Sequence, residues 1–241
     1  MATIDLQHYH ERVGAANPVR VYGRIVDVVG LTIEADGPPM RIGDLCYAHP
    51  RSGPSIPVEV VGFRSGRLLL MPLGEMRGMG PGSLLEPTFA PKTVHVSHDL
   101  LGRVVNSMGS PLDGGPPLPH GDLVPLTASP PHPLTRKRIT DAIATGIRAI
   151  DACVTCGKGQ RIGIVSGSGV GKSRLLGMMA RNTSADINVI ALIGERGREV
   201  RDFVETDLGN EGLARSIVVV ATSDEPALLR IKGAYTATAI A

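Results

Sequence analysis

A glycine-rich stretch carries the residues of this sequence whose types and spacing could do chemistry. It reads SGSGVGKS from Ser166 to Ser173 and follows the apolar run RIGIV. The phosphate-binding pattern is G-x-x-x-x-G-K-[ST], which Gly171, Lys172 and Ser173 fit, while Ser166 stands where the first glycine would be. A glycine-rich turn that caps a helix would explain the glycines but not the lysine and serine behind them. The stretch therefore predicts a loop that binds phosphate.

The chemistry of this loop follows from its backbone and its last two side chains. Small residues let the backbone turn its N–H groups inward as a nest for phosphate oxygens at a helix N-terminus. Lys172 would place a catalytic cation on the β and γ oxygens, and Ser173 would offer its hydroxyl to Mg²⁺. The predicted ligands are ATP and Mg²⁺. The predicted nucleotide-binding residues are Ser166, Gly167, Ser168, Gly169, Val170, Gly171, Lys172 and Ser173.

A second candidate is Glu195, which ends the apolar run NVIALIGE. At the carboxyl edge of a parallel sheet, where ligands bind, a carboxylate could orient the water that attacks the γ-phosphate. An acid that complements the dipole of the following helix would fit the same position. The sequence leaves the roles of three arginines equally open, those of Arg196, Arg198 and Arg201. They could face phosphate, a neighbouring subunit or solvent.

Runs typical of buried strands alternate with runs typical of helices in the part of the sequence that positions these residues. GQRIGIVSG, NVIALIGE and SIVVVATSD predict buried strands, and GKSRLLGMMARNTS, GREVRDFVETDLG and EPALLRIKGAYTATAIA predict helices between and after them. TDAIATGIRAIDAC has helical spacing, with Thr140 as a possible N-cap. Strands that alternate with helices indicate βαβ units and a parallel sheet.

The first part of the chain has a different pattern. Short apolar runs from Val19 to Pro87 are separated by turn signals about every 8–12 residues, which predicts a small antiparallel β-barrel or sandwich. FRSGRLLL predicts a hairpin around Ser65 and Gly66. The proline- and glycine-rich residues that follow predict an ordered connector, in which LLGRVVNSMG has strand-like content. The predicted domains are a docking segment with a short helix (1–17), the barrel (18–88), the connector (89–139) and an α/β domain (140–241).

Composition excludes several other classes of protein. The formal charge of +2 is too small for a dedicated nucleic-acid binder, and aromatic residues are only 3% of the chain. No run approaches the roughly 18 apolar residues of a membrane span, and the N-terminus lacks the apolar run of a signal peptide, so we expect the cytoplasm. Three cysteines make no disulfide framework, and CVTC lacks the second pair that a zinc ribbon needs.

The sequence resembles the flagellum-specific ATPases, which are relatives of the injectisome secretion ATPases and of the catalytic subunits of rotary ATP synthases. The resemblance covers residues 20–241 and is carried by GQRIGIVSGSGVGKSRLL, ALIGERGREVRDF, VVVATSDEPALLR, LLGRVVNSMGSPLDG and VGFRSGRLLLMPLGEMRGMGPGS. It implies a β-barrel followed by a RecA-like P-loop ATPase domain, with Glu195 as the catalytic carboxylate.

The resemblance also implies partners. These are a homohexamer with ATP at subunit interfaces, a stator-like regulatory protein at the N-terminal segment, export substrates and chaperones, and a membrane export gate. No nucleic acid is expected, and the expected location is the cytoplasm, at the export apparatus of the inner membrane.

Three other functions remain open. One is the injectisome version of the same motor, and another is a non-catalytic nucleotide-binding subunit or fragment. The third is an RNA translocase, which would need stacking aromatics that the barrel offers only at Tyr22, Tyr47 and Phe63. No apolar strand ending in aspartate follows Ser173, so we expect a truncated chain that alone does not hydrolyse ATP.

Overall fold

The computed structural model describes Val13 and residues 20–88, 93–119, 121–167 and 169–241. The helix predicted for residues 1–16 lies outside these ranges, apart from Val13. The chain divides into two compact units, Met1–Ala90 and Pro91–Ala241. The finer domain bounds drawn from the sequence stay predictions.

The first unit contains the predicted antiparallel barrel. Its strands are β1 (Gly23–Val29), β2 (Thr32–Asp36), β3 (Leu45–His49), β4 (Ile56–Arg64), β5 (Arg67–Pro72) and β6 (Leu84–Pro87). They close in the order β1-β2-β5-β4-β3-β6, and every neighbouring pair is antiparallel. The hairpin predicted around Ser65 and Gly66 is confirmed, because these two residues join β4 to β5.

Side chains that point inward at alternate positions of the strands fill the barrel. In β5 every second residue is buried, which places Leu68 and Leu70 inside. The buried side chains form one cluster made of Ile25, Ile33, Ala35, Cys46, Ala48, Ile56, Val58, Val60, Leu68, Leu70 and Leu85. Aliphatic residues build this core without any aromatic side chain.

The second unit is built on a parallel sheet. Its strands are β7 (Thr93–Val96), β8 (Val104–Asn106), β9 (Asp122–Pro125), β10 (Ala142–Ile143), β11 (Cys156–Gly157), β12 (Asn188–Glu195) and β13 (Ser216–Thr222). The parallel sheet has the order β12-β13-β8, so LLGRVVNSMG supplies a strand of the α/β domain. The pairs β7–β9 and β10–β11 are antiparallel.

Helices cover both faces of this sheet. The described helices of this unit are α1 (Arg148–Cys153), α2 (Lys172–Asn182), α3 (Gly197–Asp202), α4 (Gly209–Ala214) and α5 (Ala227–Ile240), with a π-helical turn at Phe203–Leu208. One face packs against α2 and the π-helical turn through a cluster that includes Ile190 and Leu192. The other face packs against α5. None of the described helices is both long and apolar enough to cross a membrane.

One predicted strand is wrong. GQRIGIVSG has no regular secondary structure, and Val165 is 98% exposed and Ile162 49% exposed. A strand forms when its backbone N–H and C=O groups pair with a neighbour. In the described part of the chain, no strand pairs with this run, so its apolar composition alone does not make it a strand.

Two predicted helices also differ from the structure. TDAIATGIRAIDAC does not start at Thr140, because Ala142 and Ile143 pair with β11 and the helix begins at Arg148. The Asp151 carboxylate accepts hydrogen bonds from the backbone N–H groups of Thr145 and Gly146, which holds the turn before the helix. GREVRDFVETDLG begins as α3 and continues as the π-helical turn.

Candidate nucleotide-binding site

The predicted phosphate loop leads into the N-terminus of α2. Gly171 is the N-cap residue, with φ of 99° and ψ of 17°, and no side chain caps the helix. Glycine reaches this left-handed conformation without strain. The first N–H groups of a helix have no partner within the helix, so this end presents unpaired donors. Ser168 lies outside the described residues.

The glycines of the loop border open space. A Cβ built on Gly167, Gly169 or Gly171 would meet no other atom within 4 Å. A helix N-terminus that no side chain caps, preceded by a loop of uncrowded glycines, fits an anionic phosphate, because the N–H groups and the helix dipole both favour negative charge.

The structure brings three predicted side chains to one cavity of about 310 Å³. Lys172, Ser173 and Glu195 line it, although 21 residues separate the last two along the chain and they come from different elements. Lys172 and Ser173 belong to the first turn of α2, and Glu195 is the last residue of β12. Leu176, Leu192 and Phe203 form apolar walls. The predicted sheet edge and the predicted loop therefore meet.

The donor set of this cavity fits a magnesium nucleotide. A lysine cation attracts phosphate oxygens, and a serine hydroxyl is a hard oxygen ligand that Mg²⁺ accepts. Among the described residues, no group of three or more His, Cys, Asp or Glu side chains forms a metal site. Because Mg²⁺ usually binds through few protein oxygens together with substrate phosphates and water, Ser173 is the residue that would hold it.

Glu199 is a neighbour of the site that the sequence did not single out. Arg196 donates from Nη1 to Glu199 Oε1 at 2.9 Å, and both side chains are partly exposed. The hydrogen bond and charge of the Arg196 guanidinium hold the pKa of Glu199 below its ordinary value. Arg196 is thus paired with a carboxylate three residues along. An acid in the first helical turn is the sequence signal for such a pair.

The other candidate arginines lie on the solvent side. Arg201 donates to Glu205 at 2.8 Å, an exposed pair at helical spacing, and Arg198 is exposed.

The cysteines form no disulfide bond in the structure. The free thiols are those of Cys46, Cys153 and Cys156.

The loop, the helix N-terminus and the carboxylate at a sheet edge place the second unit in the class of P-loop nucleotide-binding proteins. Residues 146–241 match the nucleotide-binding domain of the ATP synthase alpha/beta family. The family resemblance predicted from the sequence is confirmed: the chain is a homologue of the flagellum-specific ATP synthases and of the type III secretion ATPases.

Two curated relatives illustrate this homology. The flagellum-specific ATP synthase of Bacillus subtilis is 56% identical over 224 residues, which cover 91% of this chain and 51% of the relative. The type 3 secretion system ATPase of Xanthomonas euvesicatoria is 45% identical over 223 residues, covering 92% of this chain and 50% of the relative. The chain spans about half the length of the curated relatives it matches.

Solved structures support the fold. The assembled ATPase EscN of the enteropathogenic Escherichia coli type III secretion system superposes with a TM-score of 0.82 at 42% identity. The match covers 91% of this chain and 52% of EscN. A second structure of EscN, in complex with its central stalk EscO, gives the same TM-score. The predicted fold class, a barrel followed by an α/β nucleotide-binding domain, is confirmed.

Proposed function

We propose that this chain is an ATP-binding and ATP-hydrolysing motor subunit that energises flagellar type III protein export. The observation that carries the proposal is the meeting of Lys172, Ser173 and Glu195 at one cavity in a homologue of flagellum-specific ATP synthases. A lysine and a serine at a helix N-terminus would bind the phosphates of a nucleotide. A carboxylate in the same cavity would orient the water that hydrolyses it.

Binding is assigned to the loop and the first turn of α2. The free N–H groups behind Gly171 hold phosphate oxygens, and Lys172 adds a mobile cation beside them. Ser173 would hold Mg²⁺ through its hydroxyl, and the bound ion would neutralise phosphate charge. The loop thus orients the terminal phosphate toward the cavity.

Hydrolysis is assigned to Glu195. Its carboxylate accepts a hydrogen bond from a water molecule and holds that water in line with the terminal phosphate. Leu176, Leu192 and Phe203 exclude bulk solvent from one side of the cavity, which strengthens charge interactions there. Glu199 holds Arg196 in an ion pair, so Arg196 can reach phosphate only if that pair opens.

The proposed assembly is a homohexamer with nucleotide at subunit interfaces. The EscN structures are of an assembled ATPase and of its complex with a central stalk, which supports oligomers and a regulatory partner in this family. For this chain we place a stator-like regulatory protein at residues 1–17, of which the structure describes only Val13. The other proposed partners are export substrates, chaperones and the inner-membrane export gate. The proposed location is the cytoplasm. Measurement of mass in solution with Mg-ATP tests the assembly.

The injectisome version of the same motor is the second candidate. It is favoured by the 45% identity to the Xanthomonas euvesicatoria secretion ATPase and by the EscN superposition. The 56% identity to the Bacillus subtilis flagellar protein supports the flagellar reading more strongly. A non-catalytic nucleotide-binding role is disfavoured by the carboxylate at position 195.

Loss of the loop cation tests the proposed binding step. In Lys172→Ala, affinity for a fluorescent ATP analogue with Mg²⁺ should fall at least about tenfold, because a charge-assisted contact to phosphate worth roughly 1.5–3 kcal/mol is removed. Lys158→Ala is the matched control, since Lys158 is exposed and does not line the cavity. Equal affinity in the parent and the Lys172 variant would overturn the assignment.

A further inference from the structure

Gly194, the residue before the proposed catalytic carboxylate, interrupts the regular pairing of β12. Its φ is +75°. Ile193 lies opposite Ala221 of β13, and Glu195 lies opposite Thr222, the very next residue. One residue of β12 is therefore extra, which is a β-bulge. Bulges bend a strand and redirect a side chain, and they are common beside active sites.

The direction in which Glu195 points depends on this extra residue. Side chains along a strand alternate between the two faces of its sheet. Leu192 faces α2 and packs in one cluster with Phe203. Ile193 faces α5, because a Cβ on Gly233 would lie 2.7 Å from its Cδ1. Strict alternation would give the α2 face to residue 194 and would point Glu195 at α5.

The bulge reverses that assignment. Glu195 takes the place opposite Thr222 that residue 194 would hold in a regular strand. Thr222 lies two residues beyond Val220, which packs with Leu192 on the α2 face, so the register puts Glu195 on that face. We propose that the bulge at Gly194 is a positioning device that turns the Glu195 carboxylate onto the nucleotide side of the sheet. The inference deepens the proposed function and rests on it for its catalytic consequence.

Backbone conformation, and not space, restricts position 194. A Cβ built on Gly194 would meet no atom within 4 Å. A β-branched residue strongly disfavours positive φ, whereas asparagine tolerates it. Gly194→Val should therefore straighten the strand, and Gly194→Asn should keep the bulge.

Nuclear Overhauser contacts of the Glu195 side chain, measured on the 241-residue chain without nucleotide, test the direction. In the parent and in Gly194→Asn, the Glu195 protons should contact those of Ser173, Leu176 or Phe203. In Gly194→Val these contacts should be lost and contacts to α5 should replace them. Gly102→Val is the control, because Gly102 has a φ of +78° and open space in the same unit. Should Gly194→Val fail to fold, Gly194→Ala takes its place in the same measurement.

Turnover in a protein of the relatives' full length separates this inference from the proposed function. Gly194→Val should lower kcat by up to about a hundredfold with little change in KM, because a displacement of about 1 Å can cost that much. Gly194→Asn should retain most of kcat. Unchanged contacts in the valine or alanine variant overturn the positioning role. Altered contacts with an unchanged kcat uphold it, and show instead that Glu195 has no part in catalysis.

Discussion

At the scale of single residues, the chemistry of the site comes from where each side chain is anchored. Lys172 and Ser173 are fixed by the first turn of α2, so both must lie beside the unpaired N–H groups of the helix N-terminus. Glu195 is fixed by the end of β12. A cation and a carboxylate held on separate rigid elements can face a substrate without pairing with each other first.

Glu195→Gln isolates the role of the carboxylate, because the exchange keeps the shape and removes the charge. In a protein of the relatives' full length, kcat should fall at least about a hundredfold, the lower range for general base catalysis, while nucleotide affinity changes little. Steady-state phosphate release and a binding titration measure the two effects. Glu211→Gln, an exposed carboxylate of α4, is the control. A parent-like rate in Glu195→Gln would make Glu195 a structural residue.

At the scale of elements, α2 is held in place by close packing against the π-helical turn. A Cβ on Gly177 would lie 2.6 Å from the backbone oxygen of Asp207. The backbones therefore approach as closely as they do because position 177 has no side chain. A π-helical turn near a functional site is a common arrangement, and this one carries Phe203 into the cavity.

Gly177→Ala tests this packing with two opposing effects. Alanine favours a helix by about 1 kcal/mol over glycine, but a methyl group pressed against backbone costs about 1–3 kcal/mol. We expect the clash to win and the free energy of unfolding to fall, as measured by urea denaturation. Gly197→Ala, which opens onto free space at the start of α3, should be neutral or stabilising. A more stable Gly177 variant would show that α2 and the π-helical turn can separate at no cost.

The loop after β8 is closed by an ion pair. Arg103 binds both carboxylate oxygens of Asp113, at 2.7 and 2.8 Å, and also donates to the carbonyl of Pro116. The backbone N–H groups of Val104 and Gly115 donate to the same carboxylate. The Arg103 guanidinium lowers the pKa of Asp113 far below its usual range.

Asp113→Asn should reduce the free energy of unfolding by about 2 kcal/mol, the usual worth of hydrogen bonds to a charged group. Because the pKa of Asp113 is lower in the folded state, its contribution is present above the unfolded pKa of about 4 and is lost as the pH falls below it. The difference between parent and variant should therefore shrink below about pH 4. Urea denaturation across pH measures it, with exposed Asp186→Asn as the control. A difference that does not change with pH would mean that Asp113 contributes through its shape.

At the scale of the whole molecule, the chain consists of two units that each contain their own core. The barrel has no open edge, because β1 pairs with β6 and closes the sheet. A closed sheet satisfies its backbone groups internally and leaves no strand free to pair with another chain.

The barrel should therefore fold on its own. A fragment of residues 20–88 should be monomeric and unfold cooperatively in urea, and Leu70→Ala should cost it about 2–5 kcal/mol because Leu70 is fully buried. Leu31→Ala, at the exposed turn between β1 and β2, should change stability little. A fragment without a cooperative transition would mean that the barrel depends on the second unit.

The sequence by itself determined the elements whose information is local. Short apolar runs and turn residues predicted a small antiparallel barrel or sandwich and the hairpin at Ser65, and the glycine-rich pattern predicted which residues open α2. Apolar runs also predicted β12 and β13. These features depend on near neighbours along the chain, which a sequence displays directly.

Tertiary structure alone decided what depends on distant partners. RIGIV is as apolar as β12, yet it is not a strand, because strand formation requires backbone pairing that composition does not report. The face on which Glu195 lies was decided by one extra residue against β13, since a slip of one residue exchanges the two faces of a strand. The pair between Arg103 and Asp113 likewise depends on how the loop closes. Residue types determine which chemistry is available. The register of β12 against β13 determines on which face of the sheet the Glu195 carboxylate lies.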